Sequence, residues 1–222
     1  MATLAALTLA DARFPGGGHV HSGGVEEAVA RGLVTCVDDL AALLDGRLRT
    51  AGLVAASFAA ASVAGTGFAL LDAELDARTP SPAQRTVSRA QGRATLRAAR
   101  LAWPSTALDA LCAVDPRPHH ALLVGAVVGA DGGSAADAAQ CVGYLAISGP
   151  ASAATRLLGL DPFAVNAVVT GLAAVLRDVV DTAVRAAAGP VADLPSPGAP
   201  ALDLMAQAHV HHHREQVRLF AS

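Results

Sequence analysis

Lysine is absent from this chain of 222 residues, and all 16 basic residues are arginine. A Walker-type loop, which needs a lysine on the β- and γ-phosphates, is thereby excluded. Aromatic residues are only 3%, too few for a β-sandwich or barrel, whose pleated surfaces favour aromatic and β-branched side chains. Charged residues are also scarce, at 16% against 53% hydrophobic; a disordered chain has the opposite balance. The cysteines Cys36, Cys112 and Cys141 are odd in number and scattered. With no Cys-x-x-Cys spacing they read as small buried hydrophobes of a reducing compartment. The apolar runs Ala121–Ala130, Cys141–Ala154 and Phe163–Leu176 fall short of the ~20 residues a membrane span requires. No basic segment precedes the apolar start, so no secretory signal is expected, and a cytoplasmic location follows by elimination. The net charge of −3 and pI near 6.2 exert no general pull on nucleic acid or anionic membranes.

Alanine, by contrast, makes up about a quarter of the chain. It is the best helix former because it loses no side-chain entropy. No period-two alternation marks a strand. The expected fold class is all-α: a single-domain bundle of about eight to ten helices with no sheet. Ala2–Ala12 reads as a short helix stopped by Phe14-Pro15-Gly16-Gly17-Gly18. Ser22 could cap a helix from Gly23 to Arg31, and Thr35 with Asp38 could open another reaching Arg49. Helices are expected over Leu53–Ala64, Gly67–Arg78, Pro82–Ala102, Ser105–Val114, Ser134–Ser148 and Pro162–Arg185. His119–Ala130 is apolar almost all round and should lie in the centre. Ala121, Gly125 and Gly129 recur every four residues there, a pattern that admits a neighbouring backbone. The organisation expected is a core over 1–188, a Pro/Gly linker over 189–200 and a C-terminal helix or tail over 201–222, set apart from the core for partner docking.

Two constellations stand out. Arg85, Arg89, Arg93, Arg97 and Arg100 are spaced for one helical face, with no acid between Arg78 and Asp109. Such a stripe suits an anion or an acidic partner, or is simply a solvated face in a protein without lysine; nucleic acid would want stacking aromatics. His209, His211, His212 and His213 cluster near the C-terminus. Imidazole is a common ligand for nickel, zinc and copper, so the cluster is either a metal site or an exposed polar tail. His19 and His21 follow the glycine-rich turn, and His119-His120 begins a helix. Asp38, Asp39, Asp45, Asp72, Glu74 and Asp76 read as solvated helix positions. No Gly-x-Ser-x-Gly elbow is present, and no nucleophile has an identifiable base, so no enzyme chemistry is expected.

Three segments carry a resemblance. Leu9-Ala10-Asp11-Ala12-Arg13-Phe14-Pro15-Gly16-Gly17-Gly18-His19-Val20-His21-Ser22-Gly23-Gly24-Val25-Glu26 resembles the opening motif of the UreF family of urease accessory proteins. Arg85-x-x-Ser88-x-x-x-Gly92-Arg93 resembles that family's second motif, and Arg218-Leu219-Phe220-Ala221-Ser222 its C-terminal ending. The resemblance implies an all-α homodimer without catalysis of its own. It implies a complex with UreD (also called UreH) and the GTPase UreG that delivers nickel to the urease apoprotein. It implies no cofactor and no resident metal, nickel being held only in transit. The partner-binding residues it points to are His19, His21, Ser22, Glu26, Arg93, His212, Arg218, Leu219 and Phe220. The competing reading is a helical metal-binding chaperone or storage protein using His209–His213.

Overall fold

The computed structural model describes residues 3–18 and 21–212, the last two by their backbone alone. Among these residues there are helices and turns and no strand, so the all-α expectation holds. The order is α1 (Leu4–Ala10), α2 (Val25–Ala30), α3 (Val37–Arg47), α4 (Leu53–Ser62), α5 (Phe68–Ala77), α6 (Pro82–Ala102), α7 (Thr106–Val114), α8 (His120–Ala130), α9 (Ala135–Leu158), α10 (Pro162–Gly171), α11 (Ala173–Ala187) and α12 (Pro200–His212). No single described helix is long and apolar enough to cross a membrane; α10 and α11 reach that length only together, bent by 42°.

Local chemistry sets many of these ends. Ser81 caps α6 through Gln84 N–H, with Pro82 in the first turn, where a missing N–H costs nothing. Ser134 and Asp137 form a reciprocal capping box on α9. Two expected caps differ. Ser22 is fully buried and lies before the cap of α2, which is Gly24 in the left-handed region at φ +93°. Thr35 pairs with Asp39 rather than Asp38, its N–H and hydroxyl both donating to Oδ2. The separate helices expected around Arg49 are instead joined by a π-helical turn over Leu48–Gly52.

Helices α4 and α9 lie at the centre and contribute to two apolar clusters. Val54, Phe58 and Ala59 join Cys141 and Val142 in one, with α1, α5, α6, α7 and α8. Ala56 and Ala60 join Ala139, Ile147 and Ala151 in the other, with α2, α3, α10, α11 and α12. Helix α8 is buried on every side, as its uniform apolarity requires. Its four-residue pattern is a contact surface for α4. A methyl at Gly125 would strike the Ala59 carbonyl and the Ser62 hydroxyl, and one at Gly129 would strike the Val63 carbonyl. The alanine content therefore has a packing role: small faces let helix backbones approach closely.

Two further expectations change. Cys36 is exposed and Cys112 intermediate; only Cys141 is buried, its thiol pushed up to about 12 by desolvation. The helical part of the C-terminal segment does not stand apart. Helix α12 packs on α2 and α6, burying Leu202, Met205 and Ala206.

Candidate functional site

The opening motif folds against the middle of α9. Pro150 lies inside α9 and has no N–H for the carbonyl of Ala146. Arg47, at the end of α3, supplies the donor: its Nε donates to Ala146 O at 2.9 Å, and its Nη1 donates to Gly23 O at 2.8 Å. One side chain thus ties α3, α9 and the opening motif together. Gly23 has φ +62°, and a Cβ there would lie 2.9 Å from Pro150 Cγ and 3.1 Å from Arg47 Cζ. Only glycine meets both the conformation and the approach. Desolvation draws the Arg47 pKa down to about 10, so it remains cationic at neutral pH.

From Gly24 the chain enters α2, and Glu26 faces α12. Its Oε2 lies 3.7 Å from Nε2 of His209, which is 1% exposed. The first member of the C-terminal histidine cluster is therefore interior, neither a polar tail nor a surface ligand. No group of three metal-ligating side chains occurs among the described residues. The side chain of His212, together with all of His19, Arg218, Leu219 and Phe220, lies outside the described residues.

Between the opening motif, α6, α9 and α12 lies a cavity of about 880 Å³. His21 and His120 both line it. Burial pulls His21 down to about 4; burial, and then the proximity of His21, do the same to His120. Both imidazoles are neutral at pH 7, which suits a packed wall rather than a charged one.

The second motif takes its meaning from a polar hub that the sequence does not announce. His119 is 1% exposed at the start of α8. Its Nε2 lies 2.8 Å from Asp76 Oδ1 and its Nδ1 3.0 Å from Ser88 Oγ, which also accepts the His120 N–H at 3.3 Å. The hydrogen-bond pattern assigns the neutral Nε2–H tautomer, donating to Asp76 and accepting from Ser88. Burial first, and then Arg89, hold its pKa below the ordinary value. Arg89, with its side chain 16% exposed, reaches Asp72 and Asp76 at 2.9 Å and Asp115 at 3.1 Å. Asp72 and Asp76 are thus not simply solvated positions; they anchor α5 to α6 and to the α7–α8 connection. Gly92 completes the motif, since a Cβ there would overlap the Pro118 carbonyl.

The arginine stripe divides. A spacing of four residues drifts by about 40° per step around a helix, so the first and last members face different surroundings. Arg85 donates to the carbonyls of Thr79 and Pro80 at 2.6 and 3.0 Å, and Arg89 is enclosed by carboxylates. Arg93, Arg97 and Arg100 are exposed. Of the predicted partner residues, the structure gathers His21, Ser22 and Glu26 beside α9 and α12 and places Arg93 outside that group. The roles of Asp76, Ser88, His119 and Arg47 were not legible in the sequence because their partners are distant in the chain; for Arg47 the usable signal was a proline inside a helix.

These features define a helical bundle whose polar motifs hold helices together. The model of the UreF family matches residues 34–173. A urease accessory protein UreF from Mycobacterium sp. strain JLS is 51% identical over 217 residues, covering 97% of each chain. Its counterparts from Mycolicibacterium vanbaalenii and Mycobacterium marinum are 49% and 47% identical, covering 100% of this chain and 99% and 100% of theirs. The chain belongs to the UreF family of urease accessory proteins.

Proposed function

We propose that this chain is a non-enzymatic adaptor of the cytoplasm that joins UreD/UreH and the GTPase UreG in a complex delivering nickel to the urease apoprotein. The observation that carries the reading is its full-length similarity to proteins named urease accessory protein UreF, which includes the opening motif and the ending. The physical arrangement supports it. Arg47 ties Gly23 of the opening motif to α3 and α9, while arginines 93, 97 and 100 remain exposed for acidic groups of a partner. The ending, Arg218-Leu219-Phe220, combines a bidentate cation with two apolar anchors, a composition suited to docking. His19 belongs to the opening contact, which His21, Ser22 and Glu26 support from beneath, and Arg93 and His212 belong to the second-motif and tail contacts. The chain acts as a homodimer. Phe163 on α10 is 83% exposed and is the aromatic that a second copy would cover. Nickel is cargo, so no resident metal or cofactor is required.

Removal of residues 213–222 tests the docking role. The shortened chain should melt as the full chain does, yet fail to retain UreD/UreH in a pull-down. Retention at full-chain levels would refute the assignment. Light scattering at micromolar concentration should give the dimer mass, and Phe163→Glu should give the monomer.

A further inference from the structure

The cavity beside the opening motif has a property that the adaptor reading does not use. Arg47 lines it and carries five N–H donors. Two are spent on the carbonyls of Ala146 and Gly23. No carboxylate among the described residues forms an ion pair with it. A partly buried guanidinium satisfied only by neutral carbonyls still lacks a countercharge. The other charged groups on the cavity wall are placed differently: Arg156 is exposed, its Nε donating to the Ser152 carbonyl at 3.4 Å. Arg78 is taken by Glu74 and by the Ala192 and Leu194 carbonyls. Asp11 is held by Arg13. Asp203 accepts from Gln84 at 2.9 Å, and burial raises its carboxyl pKa. Much of the remaining wall is apolar, including Leu9, Phe14, Val54, Leu75, Val87 and Leu145. Thr95 adds a fully buried hydroxyl with no hydrogen-bond partner.

We propose that this cavity binds a small free organic acid, its carboxylate on the open donors of Arg47 and its apolar body along the α1, α4 and α9 walls. The volume is within the range of small-molecule sites, which are mostly apolar with a few convergent polar groups. Guanidinium and carboxylate match as a planar fork, so the charged end has a defined orientation. The site stands independently of the adaptor role, because it rests on the cavity and on Arg47 alone.

The test is calorimetry and thermal melting of the full chain at neutral pH with hexanoate, hexanamide and inorganic phosphate. Hexanoate should bind and raise the melting temperature, and hexanamide, matched in shape but uncharged, should bind at least about tenfold more weakly. Val87→Glu puts a negative charge on the wall without touching the Arg47 anchor, and should abolish hexanoate binding. Arg47→Met should remove the preference for acid over amide. Because that variant also loses two structural hydrogen bonds, the comparison of acid with amide on the unaltered protein is decisive by itself. Equal binding of acid and amide, phosphate outcompeting hexanoate, or no binding of hexanoate would each overturn the proposal.

Discussion

Arg47→Met should lower the unfolding free energy by about 3 kcal/mol. The substitution keeps the aliphatic stem but removes donors from Ala146 O and Gly23 O. A hydrogen bond from a charged group contributes roughly 1.5–3 kcal/mol, and a stranded buried carbonyl costs about 1–3 kcal/mol. The two carbonyls are only partly buried, so the lower halves of those ranges apply. A domain with a typical stability of about 5–15 kcal/mol remains folded after such a loss. Urea titration followed by helical circular dichroism measures it, with an unchanged dependence on denaturant showing that the unfolding reaction is the same. A double-mutant cycle isolates the cause. Pro150→Ala restores an N–H four residues after Ala146, so the orphaned carbonyl recovers a donor within α9. In that background Arg47→Met should cost about 1 kcal/mol less than in the natural sequence. Strict additivity of the two substitutions would refute the claim that Arg47 replaces the donor missing at Pro150.

Gly92→Ala forces its methyl onto the Pro118 carbonyl and should destabilise by about 1–3 kcal/mol; urea melting checks this, and an unchanged midpoint contradicts the α6–α8 approach. Gly17→Val, at φ +72°, should strain the opening turn and reduce capture of UreG in pull-downs, whereas full capture would separate the turn from docking. Stability should also depend on pH in a defined direction. His21 and His120 are held near 4 and His119 is also lowered, against about 6.5 in the unfolded chain. The unfolded chain then binds more protons, so stability rises with pH between about 4 and 6.5 and levels off above. Each fully shifted histidine contributes a slope of up to about 1.4 kcal/mol per pH unit. His21→Gln should make the decline on acidification shallower, and a flat profile across that window would contradict the buried neutral imidazoles.

The legible part of the fold was what short-range chemistry decides. Alanine content announced helices throughout, and α6, α7 and α8 fall within a residue of their expected bounds. The central place of α8 followed from its having no polar face. Errors arose where a tertiary partner overrode a local rule. The expected helix ended at Ser148 because Gly149-Pro150 breaks helices in isolation, yet α9 continues to Leu158, with Arg47 donating to the freed carbonyl. Pro162–Arg185, expected as one helix, divides at Leu172. Asp72 and Asp76 looked solvated because Arg89, which claims them, lies 17 and 13 residues further along. His209 looked like part of a polar tail because its neighbour Glu26 lies near the other end of the chain. Among the described residues, parts of the opening and second motifs hold the fold together. Gly23 and Gly92 are required by close backbone approach, and Ser88 satisfies a buried histidine.

The most direct test of the adaptor role is urease activation in a cell carrying the urease operon without its own UreF gene. Supplied with this chain, purified urease should regain bound nickel and activity together, and a chain lacking residues 213–222 should restore neither. Urease that remains nickel-free in the presence of the folded full-length chain would contradict the role assigned here.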